Sequence, residues 1–173
     1  EYIGNEAIFS PRFAILRKLG DHQSIVAKVA HGFSPPSISE LRPSSGEINR
    51  TLKAEKGWNH EITYRGKYQK FNWDLSIYQF NLDETIVVRR AADGSDFFTN
   101  AGSTTQQGLE LSSTWMISPT LSLEQSHTWQ NFRFANGNFL TGTAPYQQAT
   151  TLFWRHPSGL SLVQNFQFMD YQF

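Results

Sequence analysis

The feature that most constrains this chain is an alternation of apolar and polar residues, broken by connections that are short, then long, then short again. The short ones are Lys18–Gln23, Gly66–Lys70, Met116–Thr120 and Arg155–Gly159, and the long ones are Ser34–Gly57, Leu82–Gly102 and Phe132–Tyr146. Successive strand side chains point to opposite faces, so alternation of period two marks strands with one apolar and one polar face. Connections that alternate in length predict an antiparallel meander with tight turns on one rim and elaborate loops on the other.

The clearest strand is Trp58–Gly66. Trp58, His60, Ile62 and Tyr64 share one face, and Asn59, Glu61, Thr63 and Arg65 the other. In Phe71–Leu82, Phe71, Trp73, Leu75 and Ile77 oppose Asn72, Asp74 and Ser76. Thr105–Trp115 sets Leu109, Leu111 and Trp115 against Gly108, Glu110 and Ser112, and Leu121–Trp129 sets Leu121 and Leu123 against Ser122, Glu124 and Ser126. A first hairpin, Pro11–Leu19 with Ser24–Phe33, and a last pair, Gln147–Arg155 with Leu160–Tyr171, alternate less cleanly. Together they make about eight strands, several about 9–11 residues long, which is enough for a tilted strand to cross a hydrocarbon layer. Ser37–Arg42 is expected to make one helical turn, and Asp93-Gly94 to turn a small hairpin between Thr85–Arg90 and Phe97–Asn100.

Composition narrows the classes. Aromatic residues are 14% and charged residues 17% of the chain, and mean hydropathy is −0.45. Composition alone suits a soluble β-sandwich, for instance a sugar-binding module. The rim pattern instead suits a wall with lipid on one side and water on the other, the layout of outer-membrane barrels. Tyr64, Phe71, Trp73, Trp115, Phe153 and Trp154 lie within a few residues of a short turn. That is where a membrane-interface girdle is expected, whereas sandwich aromatics would gather in mid-strand. Zero net charge gives no argument for nucleic acid. The absence of cysteine removes disulfides and thiolate metal sites. No run of about 18 apolar residues forms a transmembrane helix, and Glu1-Tyr2-Ile3-Gly4 does not read as a signal peptide.

No residue pattern suggests an enzyme. His60-Glu61 lacks the second histidine of a zinc motif, and Asp93-Gly94-Ser95-Asp96 lacks the further oxygen ligands of a calcium loop. There is neither a nucleophile elbow nor a phosphate loop. No cofactor or metal site is expected. Asn49-Arg50-Thr51 matches a glycosylation acceptor, which the barrel reading makes a chance match.

Four segments carry a family resemblance. They are Gly32–Ser44, leading from a strand into a loop; Leu52–Gly66; Asn100-Ala101-Gly102 through Gly108-Leu109-Glu110; and Gly137-Asn138 through Ala144-Pro145. In order and spacing, over nearly the whole chain, they resemble late barrel segments of TonB-dependent outer-membrane receptors. Ala54 and Ala144 stand where the family usually has proline. The resemblance implies an all-β fold: an antiparallel meander of about eight strands, part of a transmembrane barrel of about 22 strands. Residues 1–173 would then be a partial barrel region, without the plug domain and without the final strands. A complete small eight-stranded barrel remains an alternative.

The resemblance also implies a location, partners and a site. The location is the outer membrane of a Gram-negative bacterium, in contact with its lipid. The function is capture of a scarce nutrient, such as a ferric siderophore or another metal chelate, with uptake energised by TonB through the missing plug. Ligand would be held by outer loops, whose basic residues include Arg42, Arg50, Arg89, Arg90 and Arg133. A guanidinium can grip an anionic chelate with two charge-assisted hydrogen bonds. The alternative for each arginine is solvated loop charge, or contact with lipopolysaccharide. Glu61 and Glu110 are expected on the lumen face, Gly102 and Gly108 at strand entry for a bulge or close backbone approach, and Pro35, Pro36 and Pro43 where the ladder ends.

Overall fold

The alternation becomes a single ladder. A computed structural model describes residues 9–42 and 48–170; Pro43, Tyr171 and Phe173 lie outside that set. The elements are β1 (Arg12–Lys18), β2 (Gln23–Ser34), α1 (Ile38–Leu41), β3 (Glu55–Tyr68), β4 (Phe71–Asp83), β5 (Ile86–Arg90), β6 (Asp96–Asn100), β7 (Thr104–Ser118), β8 (Leu121–Phe134), β9 (Tyr146–Arg155) and β10 (Ser161–Asp170). Eight of the strands pair antiparallel in the order β1-β2-β3-β4-β7-β8-β9-β10, and β5 with β6 makes a separate hairpin. The meander is therefore as expected, with the small hairpin inside the second long connection.

Register separates the faces. Ile15, Ala27, Ile62, Ile77, Leu109, Trp129 and Tyr146 lie directly opposite one another in one row across seven strands. One residue along, Thr63, Ser76, Glu110, Thr128 and Gln147 form a row on the other face. A slip of one residue would exchange the faces. Several polar side chains on that second face pair across strands, while the buried Oδ1 atoms of Asn59 and Asn72 have no partner among the described residues. Lys28 Nζ lies 2.6 Å from Glu61, Arg65 Nε 2.5 Å from Asp74, and the Thr63 and Ser76 hydroxyls 2.8 Å apart.

Among the described residues, no second layer covers the apolar face. Ile62 is 52% and Ile77 55% exposed, and the buried hydrophobic residues are only Leu52, Leu82 and Ala144 among those described. A sandwich would hide these isoleucines. This sheet leaves them for a solvent that is itself apolar. No described helix is long and apolar enough to cross a membrane.

The aromatics form a belt near the tight turns. Tyr68 pairs with Phe71, and Phe71 with Trp115. Phe71 stacks on Trp73 at 5.4 Å. Phe153 corrects the expected girdle: it pairs with Ser122 and points to the polar face, opposite its neighbour Trp154, which pairs with Leu121. Alternation makes it impossible for two adjacent strand residues to share a face. A second set, Trp58, Trp129 and Tyr146, lies toward the long loops. From Trp58 to Tyr68 the strand runs about 33 Å at about 3.3 Å per residue. Tilted as barrel strands are, that is a band about 25 Å tall, the height of an outer-membrane apolar belt.

The ladder does not close. Among the described residues, β1 pairs with β2 alone and β10 with β9 alone, so these eight strands form an open sheet and not a closed small barrel.

Candidate functional site

The long-loop rim is organised by side chains bonding to backbone. In the first long connection, β2 ends at Ser34 just before Pro35 and Pro36. Ser37 then caps α1 in a reciprocal capping box with Glu40. The Leu41 carbonyl accepts from the Asn49 amide N–H at 2.7 Å. Asn49 bonds through both ends of its amide: its Oδ1 accepts from Thr51 N and Oγ1, and its Nδ2 donates to the Phe98 carbonyl at 3.0 Å. The acceptor-like Asn49-Arg50-Thr51 is thus an Asx turn tying the first loop to β6.

The tie continues through residues that the sequence reading left without a role. Glu55 Oε1 accepts from Ile86 N at 2.8 Å, and Lys53 Nζ lies 3.1 Å from Glu84. Asn100 Oδ1 accepts from Lys53 N at 2.9 Å. Its Nδ2 donates to the carbonyls of Lys53 at 3.0 Å and Glu84 at 2.6 Å. Beneath them, the buried hydroxyls of Thr85 and Thr104 meet at 3.0 Å. The motif-like segments beginning at Leu52 and Asn100 therefore touch each other.

The β5–β6 hairpin turns at Asp93-Gly94 as expected, with Gly94 at φ +85°. Asp93 Oδ1 accepts from Ser95 Oγ at 2.7 Å and Ser95 N at 2.9 Å. These bonds, the hydroxyl's first, hold the Asp93 carboxyl below its ordinary range. No group of three or more metal-ligating residues occurs among the described residues.

The third long connection folds back on its own strand. Phe134 N donates to Asn138 O and Leu140 N to Phe132 O, and Gln130 Nε2 donates to Ala144 O at 2.6 Å. Gly137 takes φ +87° to make the turn.

The five candidate arginines all lie on this rim, in two groups. Arg42 closes α1 as its C-cap, and Arg50 is exposed in the same loop. Arg89 and Arg90 end β5, with Arg90 Nε 3.2 Å from Asp96. The bonds above join the two segments that carry these four residues. Arg133 stands apart at the end of β8. Its Nη1 donates to Gly137 O at 2.8 Å, its Nε to Asn131 at 2.9 Å, and its guanidinium covers the Phe139 ring at 3.8 Å. A groove of about 720 Å³ across β3, β4, β7 and β8, lined by His60, Gln79, Gln107 and Trp129 among others, touches none of the five.

Comparison with known proteins fits this geometry. Residues 2–172 match the family described as TonB dependent receptor-like, beta-barrel. A vitamin B12 transporter, BtuB, from Photobacterium profundum is 35% identical over 63 residues, covering 36% of this chain and 10% of that protein. Among solved structures, the copper transporter OprC superposes with TM-score 0.74 at 18% identity, covering 91% of this chain and 25% of that one. The siderophore receptor PirA from Pseudomonas aeruginosa gives TM-score 0.72 at 19% identity, covering 92% and 34%. A ferric enterobactin receptor from Pseudomonas aeruginosa, in complex with enterobactin, gives 0.74 at 18%, covering 93% and 28%. The chain thus spans about a quarter to a third of the length of these structures. Family members are outer-membrane β-barrel receptors and transporters, not enzymes. The sheet, its bare apolar face and its two unlike rims have the same explanation: this chain belongs to the TonB-dependent receptor β-barrel family.

Proposed function

We propose that residues 1–173 are a stretch of barrel wall, with its outer loops, from a receptor that captures an anionic metal chelate, foremost a ferric siderophore. Import would be energised through TonB acting on a plug domain outside this chain. The observation that carries the reading is the long-loop rim, where two connections are stapled together and present Arg42, Arg50, Arg89 and Arg90 at an exposed surface. Exposed guanidinium groups suit an anionic ligand with paired oxygens. Arg133 would act through the third loop that it holds in shape. The siderophore receptors among the similar structures support the choice of ligand class.

The local likeness to a vitamin B12 transporter favours a second reading, cobalamin. Uptake by cells lacking their other receptors decides between them, with radiolabelled ferric catecholate, ferric hydroxamate and cyanocobalamin as probes. The proposal expects a ferric chelate to accumulate, and expects Arg50→Ala with Arg89→Ala to weaken its binding about tenfold, about 1.4 kcal/mol. Accumulation of cyanocobalamin alone would overturn it in favour of the second reading.

A further inference from the structure

We infer that Asn100 is a positioning residue that locks the first long loop to the β5–β6 hairpin, so that the two present a single recognition surface. The inference rests on the proposed ligand-capture role only for its consequence, not for the lock itself.

A side-chain amide has one acceptor oxygen and two donor hydrogens. Asn100 commits all of this capacity to backbone groups: it accepts from Lys53 N and donates to the carbonyls of Lys53 and Glu84. It grips both backbone groups of Lys53, as a neighbouring strand would, 47 residues away in sequence. The bond to Glu84 holds the base of the hairpin at the same point. Around this centre, Asn49 Nδ2 reaches Phe98 O, Glu55 Oε1 receives Ile86 N and Lys53 Nζ meets Glu84. All of these contacts join the same two segments. Asn100 lies at the middle of them and is the only one of these side chains that bonds to both residue 53 and residue 84.

The consequence concerns the arginines. Arg42 and Arg50 belong to one segment, and Arg89 and Arg90 to the other. Unlocked, the two pairs would sample many separations, and affinity would fall with the fraction of time spent in the competent one. Locked, the surface is preorganised before ligand arrives.

The test uses the receptor folded in outer-membrane vesicles. Spin labels go on the exposed positions Ile48→Cys and Val88→Cys, one in each segment; this chain contributes no cysteine of its own. Labels at Ser24→Cys and Ser112→Cys report on the sheet. Asn100→Asp keeps the size and the acceptor, but sets a carboxylate against two carbonyls. The expected result is a narrow 48–88 distance distribution in the parent and a broad one in Asn100→Asp, with the sheet pair unchanged. An unchanged, narrow 48–88 distribution in Asn100→Asp would overturn the inference.

Titration with ferric catecholate supplies the second readout. Asn100→Asp should weaken binding about tenfold, and bridging Ile48→Cys to Val88→Cys with a flexible bis-maleimide should restore it. Weakened binding that the bridge does not restore would contradict the positioning role. If the parent binds no ferric chelate while the spin-label contrast holds, the ligand reading fails and the lock stands.

Discussion

At the scale of single residues, two glycines inside the sheet are filled by aromatic rings from the neighbouring strand. The Trp73 ring occupies the place where a Gly66 side chain would go, and Tyr78 does the same at Gly108. The obstacles differ. A Cβ at Gly66 meets the Trp73 ring, but a Cβ at Gly108 also meets the Trp129 carbonyl oxygen at 2.7 Å. Gly66→Ala should therefore destabilise the wall by about 1–3 kcal/mol and be largely relieved by Trp73→Ala, whereas Gly108→Ala should not be relieved by Tyr78→Ala. Urea unfolding of the four single and double variants in lipid vesicles checks this. Sequence reading expected Gly108 at strand entry, for a bulge or a close backbone. It lies inside β7, and the close approach includes a cross-strand ring. Glycine marks a crowded place but does not name what crowds it.

At the scale of elements, the strands were legible because a two-residue period needs no knowledge of partners. Trp58–Gly66 and Phe71–Leu82 lie within β3 and β4, which extend the first at both ends and the second only to Asp83. The Asp93-Gly94 hairpin and the turn at Ser37 were equally local signals. What stayed hidden is the lacing of loops. The bonds from Asn49 to Phe98 and from Asn100 to Lys53 join residues almost 50 apart and leave no periodic trace. The candidate arginines could be placed on loops by sequence, but their division into four on two joined segments and a separate Arg133 could not.

Two predictions belong to this scale. On β4, Ile77→Lys puts a charge on the apolar face and should cost about 2–4 kcal/mol near the bilayer middle, while Ser76→Lys, one residue away, should cost far less. Equilibrium unfolding in lipid vesicles measures both. In the hairpin, the Asp93 carboxyl titrates below its ordinary value because its bonds to Ser95 favour the charged form. Its contribution is therefore fully present above the ordinary carboxylate range and is lost as pH falls through the lowered value. Hydrogen exchange at the Ser95 amide should stay protected at neutral pH, as judged against intrinsic exchange, and lose protection in strong acid. Asp93→Ala should remove that protection throughout.

At the scale of the whole molecule, one physical choice organises everything else. Among the described residues the sheet buries few hydrophobic side chains, leaves its isoleucines bare, rings its apolar band with aromatics, and puts its ion pairs on the other face. Its edges β1 and β10 are unpaired among the described residues. Unpaired edges invite further strands, which agrees with a chain that spans about a quarter to a third of the similar structures. Family membership makes these features a stretch of barrel wall.

The most direct test is a nitroxide scan of β7, from Gln107 to Trp115, in lipid vesicles. The account predicts that collisions with oxygen, which concentrates in the bilayer, peak at Leu109, Leu111 and Ser113. Collisions with a water-soluble nickel chelate should peak at Gly108, Glu110 and Ser112, with the two profiles out of phase at a period of two residues. Low access to both reagents at Leu109 and Leu111, as for side chains packed against protein, would contradict it.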